Sequence, residues 1–177
     1  MPEFLFDGNA TLAALRHLPT CSPPEPLSTN LIIVGGSYLA LNDRRESTRD
    51  IDSVTRLEAV TKKAILEIGQ RHGYANDWLN DSAAAFRPSG LTIEDCTVLF
   101  EHQALTILGP TPDWIFRMKL YAGRTIDHQD LTRLWPHTKF RNSTDVIERF
   151  YDAYPFAPEN HYLADYIDTI RRRSEAP

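Results

Sequence analysis

The sequence predicts an α+β protein: a small mixed sheet flanked by helices, followed by an all-helical C-terminal part. Three observations predict it. The run "LIIV" (31–34) is short, β-branched and bounded by turn residues, as a buried strand is. "CTVLFE" and "ALTILG" lie on either side of His102-Gln103 and pair as a β-hairpin. From Thr111 onward the apolar residues recur at helical spacing and no strand signal returns. At 177 residues the chain can bury a real core. The boundary is expected near 110, with residues 1–110 as the core and 111–177 as a helical part packed onto it in one compact unit.

The elements follow in order. "ATLAALRHL" (10–18) reads as a short helix, and "PTCSPPEPLSTN" (19–30) as an irregular proline-rich connector. After the strand at 31–34, "SYLALND" supplies about two helical turns beginning at a glycine-serine turn. "STRDIDSVT" (47–55) returns as a second strand, with Ile51 on one face and Asp50 and Asp52 on the other by the period of two. Residues 57–71 place Leu57, Val60, Ala64, Ile65 and Ile68 on one helical face, and Gly73 supplies a stop. "YANDWLNDSAAAFRPSG" is expected to be mostly loop, anchored by Trp78 and Leu79. The hairpin then sets a third strand beside the first two, carrying Glu101 at its end. "TPDWIFRMKLYAGR" opens a helix with a Thr cap, a Pro in the first turn and an Asp after it. "TIDHQDLTRLW", "STDVIERFYDAY" and "NHYLADYIDTIRRR" continue as amphipathic helices.

Composition narrows the function. The net charge of −5 argues against a protein that coats nucleic acid by charge alone. The arginines are nonetheless clustered, at Arg44, Arg45 and Arg49 and again at Arg171, Arg172 and Arg173. No apolar run approaches the ~20 residues of a membrane span, and the N-terminus lacks the basic and apolar regions of a secretory signal. The two cysteines and six histidines show no zinc or redox spacing, so reduced thiols and a cytoplasmic location are expected.

Chemistry concentrates in "LIIVGGSYLALNDRRESTRDIDSV" (31–54). Gly35, Gly36 and Ser37 follow a strand and open a helix, which either seats a phosphate on backbone N–H groups or simply needs glycine for a tight turn. Asp50 and Asp52, two apart on a strand, project to one face. Like charges that close repel unless a cation lies between them, and hard carboxylate oxygens suit Mg²⁺ (or Mn²⁺). The alternative is a solvated strand end neutralised by Arg49.

Taken together, "GGSYLALNDRRESTRDID" resembles the catalytic signature of the nucleotidyltransferase superfamily of DNA polymerase beta. The form is that of its minimal bacterial members, the AbiEii-like and MenT-like toxins. "MKLYAGRTIDHQDL" (118–131) resembles the later helix block of the same families, in the expected order. The resemblance implies the nucleotidyltransferase fold, an NTP substrate and a Mg²⁺ held by Asp50 and Asp52. It implies further that Lys119 and Arg124, with the Gly35-Gly36-Ser37 turn and Arg49, hold the β- and γ-phosphates, that Asp130 is a catalytic or lysine-orienting carboxylate, and that the helical part closes the cleft. Asp127 reads as a helix cap. Glu101 is the positional candidate for a third metal carboxylate, against a plain strand-end charge. Lys119 reads as a lysine whose replacement by alanine costs nucleotide use more than folding.

The implied reaction moves a nucleoside monophosphate from an NTP to an acceptor, such as the 3′ end of tRNA or a hydroxyl on a cognate antitoxin. Two alternatives stand beside it: an antibiotic-type enzyme acting on a small hydroxylated acceptor, and a catalytically silent binding module of the same fold.

Overall fold

β1 (Thr29–Val34) lies in the middle of the sheet, and its composition says why. Leu31, Ile32, Ile33 and Val34 are all buried, as in a strand covered on both faces, where an unbroken apolar run replaces alternation. A computed structural model describes residues 4–18, 29–102 and 105–176 of the chain. Most of the proline-rich connector lies outside the described residues, and its last two positions, Thr29 and Asn30, begin β1. The described residues form five strands and seven α-helices, a mixed α+β architecture.

The chain divides into two compact units, Met1–Phe86 with Cys96–Gly109, and Arg87–Asp95 with Pro110–Pro177. In the first, β2 (Ile51–Ser53), β3 (Leu79–Asn80), β4 (Cys96–His102) and β5 (Leu105–Pro110) join β1 in the order β3-β2-β1-β5-β4. β1 runs antiparallel to β2 and parallel to β5, and β2 runs parallel to β3. Three helices belong here: α1 (Gly8–Leu15), α2 (Gly35–Leu41) and α3 (Ala59–His72). Asp7 caps α1, its carboxylate accepting from the Ala10 amide at 2.7 Å. α3 buries Ala64, Ile65 and Ile68 and stops at Gly73, whose φ of 75° is left-handed.

Three sequence expectations for this unit change. The second strand is only Ile51–Ser53, because the backbone of Thr48 is already taken: it exchanges hydrogen bonds of 2.7 and 2.8 Å with Phe6. The expected loop after α3 contains β3, a two-residue strand paired with β2. The hairpin strand beside β1 is β5, and β4, which carries Glu101, is the outer one.

Trp78 anchors the β3 segment. It is fully buried in the core with Phe6, Leu31, Ile65 and Ile68, and its indole N–H donates to the Ile65 carbonyl at 2.9 Å. Trp78→Phe keeps a ring but removes the donor and leaves a void, so a loss of about 1–3 kcal/mol is expected in urea melts.

The second unit holds α4 (Pro112–Ala122), α5 (Asp127–Leu134), α6 (Ser143–Ala153) and α7 (Leu163–Ser174). Phe116, Trp135 and Phe140 form an aromatic centre, with rings 5.6 and 5.7 Å from Phe116. Segment 87–95 belongs with these helices through Ser89, whose amide donates to the Ala153 carbonyl, and Asp95, whose carbonyl accepts from Thr111. Thr111 does precede α4, but its side chain makes no capping bond. No helix among the described residues is long and apolar enough to cross a membrane.

Candidate functional site

In the first unit the glycine turn and an aspartate meet. Val34 at the end of β1 pairs with Asp52 of β2, so Asp52 stands directly across from the residue that precedes Gly35. Gly35 has a φ of 67°, and a β carbon there would lie 2.6 Å from Asp52 Oδ2. A β carbon on Gly36 would lie 2.5 Å from Thr48 Oγ1 and 3.1 Å from an Arg45 guanidinium nitrogen. The missing side chains are therefore occupied by a carboxylate, a hydroxyl and a guanidinium. On the other side Asp52 pairs with Asn80 of β3, and residues directly opposite share a sheet face. Val34, Asp52 and Asn80 thus form a row across three strands, with Asp52 and Asn80 only partly buried.

Ser37 is fully buried and its hydroxyl donates to the Val34 carbonyl at 2.9 Å, which locks the strand-to-helix turn. Asp50 precedes β2 in a bend and is half-buried; strand alternation therefore fixes the face of Asp52 and does not apply to Asp50. Arg49 is exposed. Among the described residues no three His, Cys, Asp or Glu side chains converge as a metal-binding group. Asp52 is a partly exposed carboxylate beside the Gly35 turn, the kind of hard-oxygen ligand of which Mg²⁺ commonly takes one or two, completed by substrate oxygens.

The turn supplies its own test. Gly35→Ala imposes a left-handed backbone on an L residue and drives a methyl into Asp52, a cost of about 1–3 kcal/mol. Gly73→Ala is the control, with φ 75° but nothing within 4 Å. Gly35→Ala is expected to lower the melting temperature more than Gly73→Ala.

Glu101 is not brought to this site. β5 and β1 lie between β4 and β2, three strand spacings or about 14 Å. The ends also differ: Leu105, the first residue of β5, pairs with Thr29 at the start of β1, whereas Asp52 is level with Val34 at its end. Glu101 is exposed, a strand-end charge on an edge strand.

In the second unit α4 and α5 bring three charges together. Lys119 is 4% exposed, and its ammonium donates to Asp127 Oδ1 and to Asp130 Oδ2, both at 2.8 Å. Arg124, just past Gly123, donates from Nε to Asp127 Oδ2 at 2.9 Å and from its terminal nitrogen to Oδ1 at 3.3 Å. Burial pushes the Asp127 carboxyl up, but the hydrogen bonds from Arg124 and Lys119 outweigh it and hold the group below its usual range. The reading of Asp127 as a helix cap is therefore corrected. It makes no capping bond, and its carboxylate joins Lys119 to Arg124. A lysine bound between two buried carboxylates also matters to folding, whatever its part in nucleotide use. Asp130 shares the Lys119 ammonium with Asp127.

An ammonium has three hydrogens, and the carboxylates take two. Lys119 also lines a cavity of about 400 Å³ inside this unit, together with Arg124, Thr125, His128, Asn160 and Tyr166. Asp127 and Asp130 are not part of that lining. The sequence offered no sign of the cavity, because Asn160 and Tyr166 are contributed by the last helix and the loop before it.

Compared with models of known protein families, with curated proteins and with solved structures, the chain matches none.

Proposed function

We propose that the protein is a Mg²⁺-dependent nucleotidyltransferase, with the nucleotidyltransferase fold in its first unit. One observation carries the reading: the carboxylate of Asp52 packs onto Gly35, so the glycine turn and the aspartate, separated in sequence, share one place. The antiparallel pairing of β1 and β2 across α2 supports it, as does the Arg45 guanidinium against Gly36, a positive charge where a phosphate would lie.

Asp50 and Asp52 would hold the Mg²⁺, which would supply charge neutralisation to the phosphate oxygens. The turn at Gly35-Gly36 offers backbone N–H groups to phosphate, and Ser37 keeps that turn closed through Val34. The Arg45 guanidinium beside Gly36 would supply positive charge to the same phosphate. The acceptor hydroxyl oxygen forms the new bond to the α-phosphorus, its proton passing to solvent, as the bond to pyrophosphate breaks. Positioning and fixed charge, rather than a covalent protein intermediate, supply the acceleration. The acceptor proposed is the 3′ end of tRNA or a hydroxyl on a cognate antitoxin.

The test is incubation with each α-labelled NTP and total tRNA, with and without Mg²⁺. Label on tRNA only with Mg²⁺ supports the reading. No label on tRNA or on any added protein, and no pyrophosphate released, overturns it.

A further inference from the structure

The cavity of the helical unit has a chemistry of its own. Its polar wall offers donors: the third ammonium hydrogen of Lys119, the Arg124 guanidinium, the Asn160 amide and the Tyr166 phenol. The Asn160 carbonyl oxygen already accepts from the Tyr162 amide at 3.0 Å, which leaves its NH₂ as the end that can serve a ligand. His128 is close to Arg173, with Nε2 and a guanidinium nitrogen 2.7 Å apart. An arginine only donates, so in that contact Nε2 is the accepting nitrogen of the ring. Asp127 and Asp130, which are not part of the lining, bind Lys119 and Arg124 through both oxygens of Asp127 and through Asp130 Oδ2. Asp127 and Asp130 balance the two cations, so it is the donors facing the cavity, more than net charge, that select an acceptor-rich ligand such as a phosphate.

The opposite quality comes from two rings. Those of His128 and Tyr166 adjoin, with centroids 5.7 Å apart and tilted by 47°. Burial, with the Asp127 carboxylate nearby, raises the Tyr166 phenol above its usual value and keeps it a neutral donor. Flat rings beside fixed cations suit a ligand that is planar at one end and anionic at the other. The volume of about 400 Å³ lies within the ordinary range of small-molecule sites.

We infer that this cavity seats one nucleotide unit, its base against Tyr166 and His128 and its phosphate at Lys119 and Arg124. The ligand class rests on the nucleotidyl-transfer reading, but the base seat stands on Tyr166 of α7 and His128 of α5. A free nucleotide and the terminal nucleotide of an RNA share this chemistry.

The experiment is calorimetric titration of the full chain in EDTA with UMP, AMP, orthophosphate and an RNA trinucleotide. One-to-one binding of a mononucleotide or of the trinucleotide is expected, about tenfold tighter than orthophosphate, the margin that a stacked base provides. Tyr166→Leu should erase that margin without weakening orthophosphate, and Tyr166→Phe should keep it. Preference for the mononucleotide or for the trinucleotide identifies the source, and either result supports the seat. A wild type that binds no nucleotide more tightly than orthophosphate overturns the inference, as does a Tyr166→Leu protein that binds like wild type. Asp52→Asn separates the two proposals: nucleotide binding in EDTA should persist in it. If nucleotide binds yet wild type transfers nothing with Mg²⁺, the reaction is wrong and the seat remains.

Discussion

Replacing Lys119 with alanine is expected to destabilise the helical unit by about 3–5 kcal/mol, the cost of leaving buried carboxylates without their cation. Asp127 and Asp130 are 1% and 4% exposed, so water cannot replace the ammonium. Combining Lys119→Met with Asp127→Asn and Asp130→Asn removes all three charges together and should recover most of that loss. Urea melts of the single and triple variants measure both. A Lys119→Ala protein as stable as wild type would mean that the charges are not compensated in this way. The cluster also fixes a pH dependence. The folded pKa of Asp127 is below its unfolded value. Its contribution is therefore complete above about pH 4, the ordinary aspartate range, and is lost as pH falls through the folded pKa. Asp127→Asn should flatten that acid limb of the stability curve.

Asp52→Asn is expected to reduce nucleotidyl transfer by about a thousandfold or more, since a metal-held phosphate gains several kcal/mol of charge stabilisation. The fold should survive. Asn has the same shape, Asp52 is partly exposed, and such substitutions are usually within about 0.5 kcal/mol. Label transfer together with a thermal melt gives both readings. An active Asp52→Asn protein would remove this carboxylate from the reaction, and an unfolded one would make it structural.

What the sequence could tell depended on whether a feature was local. The run 31–34 was legible because a central strand buries both faces, which needs only apolar, β-branched residues in a row. Helix α3 was legible from its buried face and its terminal Gly73. β3 was not, because two residues carry no period and Leu79–Asn80 is a strand only through its pairing with β2. Asp50 was placed in a strand because alternation ignores what else binds the backbone, and Phe6 takes up Thr48. Asp127 looked like a cap because the sequence shows only its position at a helix start. Its carboxylate in fact answers Lys119, a turn of chain away on another helix. Segment 87–95 joins the helical unit through Ser89 and Ala153, a contact that no local pattern announces. Within the candidate site, the glycine turn and Asp52 were legible as a motif; the guanidinium of Arg45 and the pairing with Asn80 required the fold.

The most direct test of the central claim is a set of thermal melts of wild type, Asp50→Asn and Asp52→Asn, each with and without Mg²⁺ plus a non-hydrolysable NTP. A ligand that binds only the folded state raises its stability by mass action, about 2.7 kcal/mol at a hundred times Kd. For wild type a clear upward shift is expected that needs both Mg²⁺ and nucleotide and is lost or greatly reduced in each Asp variant. Equal shifts in all three proteins, or none in wild type, would contradict the claim.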